Sequence, residues 1–324
     1  VTHGNTQLAA LVDLSPSVAE LRASVWAGFG QPRKTLEAKF FYDAEGSRLF
    51  ERICATPEYY PTRTERKLLT DIAPELAALA GPRRAVLEFG SGSGIKTRTL
   101  LGLLDNPVAY VPVEISRAAL VEAVSELTAD YPEIQIVPVC ADYTRPFALP
   151  CFAGEAEGWL GFFPGSTIGN FTPPQAARFL SQVRRMLGRG GQMLVGVDLR
   201  KDKAVLDAAY NDRAGITAAF NLNQLARINR ELAGDFDLAQ FEHRAFYEQE
   251  QGRIEMHLVS RRAQTVTVSG RSFEFAAGET IHTENSYKYD IERFRDLAMS
   301  AGWSHRSVWM DRDRLFSVHL LGCA

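Results

Sequence analysis

The stretch LEFGSGSGIKT (residues 87–97) decides how this chain folds. Ahead of its glycines, RAVLEFG (residues 84–90) is an apolar run of strand length, and behind them IKTRTLLGLL (residues 95–104) has the apolar spacing of a helix. Glycines at such a junction let the backbone approach a ligand closely, at the positive end of a helix dipole. The spacing is Gly90-x-Gly92-x-Gly94. The dinucleotide fingerprint G-x-G-x-x-G needs its third glycine one place later. Glu88, two residues before Gly90, adds a negative charge that a pyrophosphate would not welcome and that a cationic ligand would. Taken alone, the loop reads equally as a plain tight turn.

Outward from this junction, strands and helices alternate. VAYVPVEIS (residues 108–116) is a second strand and RAALVEAVSELTADY (117–131) its helix; IQIVPVCADY (134–143) is a third strand. GWLGFFPGSTIGN (158–170) reads as a fourth, followed by the helix PPQAARFLSQVRRML (173–187), and GQMLVGVDL (191–199) as a fifth. Such alternation predicts an α/β, doubly wound, mostly parallel sheet. The pattern breaks after Leu199. Residues 203–233 are mostly helical, and residues 241–283 switch to two-residue alternation, as in RIEMHLVS (253–260), which predicts antiparallel strands. The chain ends with a helix, IERFRDLAMSAGW (291–303), and a hairpin with DRDR (311–314) at its tip. A parallel sheet closed by a helix and a final hairpin is the seven-stranded topology of S-adenosylmethionine-dependent methyltransferases. The expected division is therefore a methyltransferase domain, residues 61–199 and 289–324, and a smaller α+β substrate-recognition domain, residues 1–60 and 200–288. Residues 7–30 read as helical pieces, with Ser15-Pro16-Ser17 as a start signal.

Two further acids fix the cofactor. Glu114 ends the second strand, where a carboxylate can accept from both ribose hydroxyls, and Asp142 ends the third, beside Tyr143, where it can accept from an adenine amino group while the ring stacks. Each acid alone reads as a solvated strand end or a helix cap. Three at the carboxyl ends of successive strands point to S-adenosylmethionine, because open α/β sheets bind ligands there.

Composition narrows the class. The chain has 324 residues, 46% hydrophobic and 23% charged, with a net charge of −3, so neither a nucleic-acid partner nor disorder is indicated. Four scattered cysteines form no CxxC pair, which suggests reduced thiols and no metal site. The first thirty residues lack a basic start followed by an apolar run, and no apolar stretch reaches about 20 residues, so a cytoplasmic protein is expected.

Longer motifs carry a sharper resemblance. FYDAEGSRLFERICATPEYYPTRTE (residues 41–65), LEFGSGSGIKTRTLL (87–101), PGSTIGNF (164–171), AAYNDRAGITAAFNLN (208–223), RIEMHL (253–258) and HTENSYKY (282–289) together resemble the L-histidine N-alpha-methyltransferase family of ergothioneine biosynthesis. They run in the same order over nearly the whole chain past residue 35. One departure is GSGIKT, where relatives commonly carry a polar residue at the Gly94 or Ile95 position. The resemblance implies three methylations of the histidine α-amine to hercynine, with S-adenosylhomocysteine as by-product; a monomer is expected. Methylation of another aromatic amino acid such as tryptophan, or a non-catalytic S-adenosylmethionine-binding sensor, are the competing assignments.

The same resemblance places Tyr59, Gly165, Asn170 and Tyr210 at the substrate and Tyr42 near the methionine end of the cofactor. With Glu88, Glu114, Asp142 and Tyr143, Gly90, Gly92 and Lys96 complete the expected cofactor set. Each residue also has an ordinary reading: Asn170 as a turn asparagine before Pro173, Tyr210 as a core aromatic, Tyr42 as local packing, Lys96 as a solvated helix residue. Glu284 and Ser286 carry the choice of side chain. In a strand, residues two apart face one side, so a carboxylate and a hydroxyl can meet one imidazole. Otherwise they are a polar strand end. Met256 on the neighbouring strand lines the apolar face of that ring or belongs to the core. Asn285 points the other way and serves the turn. Methyl transfer needs an aligned nitrogen lone pair in a desolvated site and no metal.

Overall fold

The computed structural model describes residues 11–92 and 94–323. The chain divides into two compact units, one of Val1–Ser15, Pro61–Arg200 and Tyr287–Ala324, the other of Pro16–Tyr60 and Lys201–Ser286.

The first unit is built on a sheet that contains nine strands among the described residues. Its order is Val12–Leu14, Val139–Ala141, Ala109–Glu114, Arg84–Phe89, Gly158–Phe163, Gln192–Asp198, Phe316–Gly322, Ser304–Met310, with Gln135–Ile136 beside Ala109–Glu114. Neighbours run parallel from Val12–Leu14 through Gln192–Asp198, and the closing hairpin is antiparallel. This is the sheet expected from the alternating strands and helices. Its strands read as almost unbroken apolar runs because both faces are covered. Leu87, Phe89, Val111, Val113, Phe163 and Val195 pack with Phe179, Leu180 and Val183 of the helix Pro173–Leu187 and Phe294 of Ile291–Ser300. The alternate residues Val86, Tyr110, Leu160, Phe162 and Leu194 pack with Leu68 and Leu69 of Tyr60–Asp71, Leu100 of Ile95–Leu101 and Leu127 of Arg117–Asp130.

Three expectations change. Val12–Leu14 is a short edge strand paired with Val139–Ala141 rather than part of a helix, so the described residues before Pro16 belong with the large sheet; residues 7–10 of that expected helix lie outside the described residues. The third strand is interrupted into Gln135–Ile136 and Val139–Ala141. Pro138, between them, has no N–H to give to a ladder. The fourth strand stops at Phe163; Pro164 and Gly165 (φ 77°) turn the chain into a short 3₁₀ turn, Thr167–Asn170.

The second unit carries a four-stranded sheet ordered Lys34–Thr35, Thr280–Tyr287, Arg253–Ser260, Phe241–Glu248, with Gln264–Val268 and Arg271–Phe275 as a separate hairpin. The two-residue alternation is real: Ile254, Met256 and Leu258 are buried while Arg253, Glu255 and His257 are half-buried. Leu258 and Ile281 join a core with Leu225 and Ile228 of the helix Ile216–Leu232 and with Phe29 of Val18–Phe29. The start signal at residues 15–17 works as expected, since Ser17 and Glu20 form a reciprocal capping box.

Candidate active site

In the first unit, the carboxyl ends of the central strands gather the expected cofactor residues along one sheet edge. Gly90, Gly92 and Gly94 all have positive φ (73°, 49° and 70°), so the loop bends in a way that side chains resist. A Cβ at Gly92 would meet nothing within 4 Å, which leaves that side of the loop open to a ligand. Glu114 braces the loop from the next strand: one oxygen accepts from the Gly92 N–H at 3.3 Å, the other from Ile115 and Ser116 at 2.8 and 3.1 Å. Burial raises its pKa against the pull of those N–H groups.

Glu88 is deeper. Its Oε2 accepts 2.6 Å bonds from the hydroxyls of Thr97 and Tyr110, and burial pushes its pKa up to about 7 while those hydroxyls and Lys96 oppose the shift. It therefore ties the strand to the helix Ile95–Leu101. Asp142 accepts from the Thr144 N–H and hydroxyl at 3.0 and 2.5 Å, which fixes the turn after the third strand. Tyr143 packs edge-on against Phe89, Phe163 and Phe179, 5.7–6.0 Å between ring centres.

Lys96 is not a solvated helix residue. Its Nζ lies 2.6 Å from Glu65 Oε2; the Glu65 side chain is fully buried, and that of Lys96 is 17% exposed. The Gly165 N–H donates to the same carboxylate at 2.8 and 3.1 Å. One buried carboxylate thus joins the helix after the glycine loop to the turn that carries Gly165. That turn has a second anchor, because the Asp198 N–H donates to Ser166 Oγ at 2.9 Å. Asp198 forms a wholly buried ion pair with Lys288, 2.7 Å apart. Gly169 lies against the Tyr287 backbone, where a Cβ would sit 2.6 Å from its carbonyl oxygen. Asn170 ends the turn these contacts hold.

In the second unit, aromatic and polar side chains converge. The Tyr210 hydroxyl donates to Ser286 Oγ at 2.8 Å, and Tyr59 stands edge-on to Tyr210 with ring centres 6.2 Å apart. Phe50 bridges Tyr59 and Tyr42, at 6.2 and 5.7 Å. Tyr59 is buried, which raises its pKa well above the usual phenol range, and the charges of Tyr210, Tyr42 and Glu284 add to the shift. Glu284 is thus within electrostatic reach of this aromatic group. Tyr210 is fixed at its backbone too: its carbonyl oxygen lies 2.9 Å from His243 Nε2, and His243 Nδ1 lies 2.9 Å from Asn221 Nδ2. A carbonyl only accepts and an amide NH₂ only donates, so His243 carries its proton on Nε2. Asn221 also accepts from the Thr283 hydroxyl at 2.8 Å, and Thr283 neighbours Glu284 on its strand.

Comparison with known proteins bears on what this geometry serves. The family model described as histidine-specific methyltransferase, SAM-dependent, matches residues 21–323. The chain belongs to this family. It is 43% identical over 310 residues to the histidine N-alpha-methyltransferase of Mycolicibacterium smegmatis, spanning 94% of this chain and 95% of that one. It is 37% identical over 305 residues to the histidine N-alpha-methyltransferase of Mycobacterium tuberculosis, spanning 93% and 94%. Ergothioneine biosynthesis protein 1 of Neurospora crassa is 30% identical over 308 residues, which are 90% of this chain and 33% of that protein.

The members of the expected set in this histidine-specific methyltransferase fall into two groups. Glu88, Gly90, Gly92, Lys96, Glu114, Asp142, Tyr143, Gly165 and Asn170 lie in the sheet unit, and Tyr42, Tyr59, Tyr210, Met256, Glu284 and Ser286 in the other. Met256 is buried on the core side of its strand, where its carbonyl accepts from the Thr283 hydroxyl. Asn285 serves no turn: the strand runs through to Tyr287, and its Oδ1 is buried without a hydrogen-bond partner among the described residues. Sequence reasoning does not reach Ser166, Asp198, Lys288 or Glu65 as supports of the site. Asp198 ends a strand just as Glu114 does, so the signal that found one could have found the other.

Proposed function

We propose that this methyltransferase transfers methyl groups from S-adenosylmethionine to the α-amino nitrogen of L-histidine, three times in succession, giving hercynine and S-adenosylhomocysteine. Bound S-adenosylmethionine supplies a methyl group on positively charged sulfur. The residues present suit that group: an open glycine turn, carboxylates along one sheet edge, and a lysine at the start of the following helix. Glu114 would accept from the ribose hydroxyls and Asp142 from the adenine amino group, with Tyr143 against the ring. Lys96 would meet the methionine carboxylate, with Gly90 and Gly92 offering backbone; the family resemblance assigns Tyr42 to the methionine end as well. Glu88 holds the loop in place from beneath.

The observation that carries the substrate assignment is the Tyr210–Ser286 hydrogen bond on the strand of Glu284. Ser286 Oγ accepts the tyrosine proton, and its own O–H is a donor. A hydroxyl that donates and a carboxylate that accepts match the two nitrogens of a neutral imidazole, one bearing a lone pair and the other a proton. Asn170, held on its anchored turn, can accept from the α-amine and donate to the α-carboxylate. The amine loses its proton before each transfer, and a desolvated pocket favours the neutral form. The aromatic faces of Tyr59 and its neighbours suit the permanent positive charge of the trimethyl product. A product of this kind would feed ergothioneine formation.

Glu284→Ala tests the assignment. The KM for histidine should rise about 30-fold or more, equivalent to ~2 kcal/mol for a charge-assisted hydrogen bond, with affinity for S-adenosylhomocysteine unchanged. Equal loss of both would mean that Glu284 supports the fold instead.

A further inference from the structure

The face of the four-stranded sheet opposite Ile254, Met256 and Leu258 carries a group of side chains that methyl transfer does not use. Glu255 and His257 alternate along the strand Arg253–Ser260, and His282 comes from its neighbour, Thr280–Tyr287. We propose that Glu255, His257 and His282 bind a late first-row divalent cation of the Zn²⁺ type.

The strand period makes the cluster. Residues two apart share a face, and the adjacent strand adds a third donor across the ladder, so three ligands converge although His282 lies 25 residues beyond His257 in sequence. One donor atom from each residue lies within 4.8 Å of the others. Metal–nitrogen and metal–oxygen bonds of about 2.0–2.2 Å need donors somewhat closer, which small side-chain rotations supply. Glu255 Oε2 and His257 Nε2 are already 3.0 Å apart. The two imidazoles are stacked, with ring centres 4.9 Å apart and planes 26° apart.

The surroundings prepare these groups as ligands. Each ring is oriented from behind or beside. His282 Nε2 lies 3.0 Å from the Glu284 carbonyl, which can only accept; this fixes the proton on Nε2 and leaves Nδ1 as the lone pair. That is the carbonyl support typical of metal-bound histidine. His257 lies flat on Phe246, 5.5 Å between centres and 6° between planes, and its buried Nδ1 has no hydrogen-bond partner among the described residues. Arg253 donates to the other carboxylate oxygen, Oε1, at 2.9 and 2.5 Å. The guanidinium weakens the site for a cation held by charge alone, so two imidazoles and one carboxylate oxygen select Zn²⁺, Ni²⁺ or Cu²⁺ over Mg²⁺ or Ca²⁺.

The test uses the full-length, tag-free protein, stripped with a chelator and dialysed against Zn²⁺ at neutral pH. One equivalent of zinc should remain after gel filtration, and Co²⁺ in its place should give visible d–d absorption. His257→Asn and His282→Asn should each weaken zinc binding at least about tenfold, with circular dichroism and S-adenosylhomocysteine affinity unchanged. Cys54→Ser and Cys151→Ser should have no effect. Failure to retain zinc would overturn the site. So would retention that both histidine variants leave intact, since the metal would then belong to thiols. The outcome is independent of which amino acid the enzyme methylates.

Discussion

Removing the Glu65 carboxylate should loosen the sheet unit by an amount its contacts define. Glu65 is fully buried and serves both the Lys96 ammonium, at 2.6 Å, and the Gly165 N–H, at 2.8 Å. Taking one partner from a buried charged pair costs about 3–5 kcal/mol. Because the Lys96 side chain is 17% exposed and can regain some water, the low end applies, about 3 kcal/mol for Glu65→Ala. Glu65→Gln keeps an acceptor for Gly165 and should cost less. The strand behind supplies a control. A Cβ at Gly196 would lie 1.9 Å from Glu65 Oε1, so Gly196→Ala must push the carboxylate off its partners, at about 2 kcal/mol. With the carboxylate already gone, most of that clash vanishes. The two substitutions should therefore be strongly non-additive, by more than about 1 kcal/mol in a denaturation double-mutant cycle. Glu65→Ala should also weaken S-adenosylhomocysteine binding in calorimetry, since Lys96 is no longer held. Additive costs, or a Glu65→Ala variant as stable as the parent, would refute the claim that this carboxylate organises the site.

Tyr210→Phe removes the donor to Ser286 and should raise the KM for histidine about fivefold, worth ~1 kcal/mol, with cofactor affinity unchanged; steady-state kinetics will tell. Stability should fall in acid because of His319, which is wholly buried with His305 and Ser317 each 3.0 Å away. Burial, with His305 adding to it, pushes its pKa down to about 3 from an ordinary 6.5. The unfolded chain then binds the extra proton between those values, so this contribution is complete above pH 6.5 and declines as pH falls toward 3, by at most about 1.4 kcal/mol per pH unit. Denaturation midpoints measured across that range should flatten in His319→Gln; an unchanged slope would show that His319 is not the group responsible.

The sheet was legible because its signals are local and repeated. Each strand is an apolar run of several residues, each helix shows its stripe, and the acids mark the strand ends. Val12–Leu14 is not legible in the sequence, since three residues carry no period, and Val12 and Leu14 are themselves exposed at a sheet edge. Pro138 broke a strand that hydrophobicity alone had made continuous. Lys288 lies 90 residues beyond Asp198, so although a strand end marks Asp198, nothing local announces their pairing. Glu255, His257 and His282 leave no mark in the sequence for a similar reason, because a cross-strand cluster has no linear spacing. Asn285 looked like a turn residue because asparagine favours turns. Glu284 and Ser286 are the opposite case: they stand out only beside the longer motifs that tie HTENSYKY to a known family.

The central claim, methylation of the histidine α-amine, is tested most directly by mass spectrometry of the products formed from S-adenosylmethionine and single amino acids. With L-histidine, mono-, di- and trimethyl products should appear in succession, the trimethyl form accumulating, with all methyl groups on the α-nitrogen and none on the ring. No product from histidine, or faster conversion of tryptophan than of histidine under the same conditions, would contradict it.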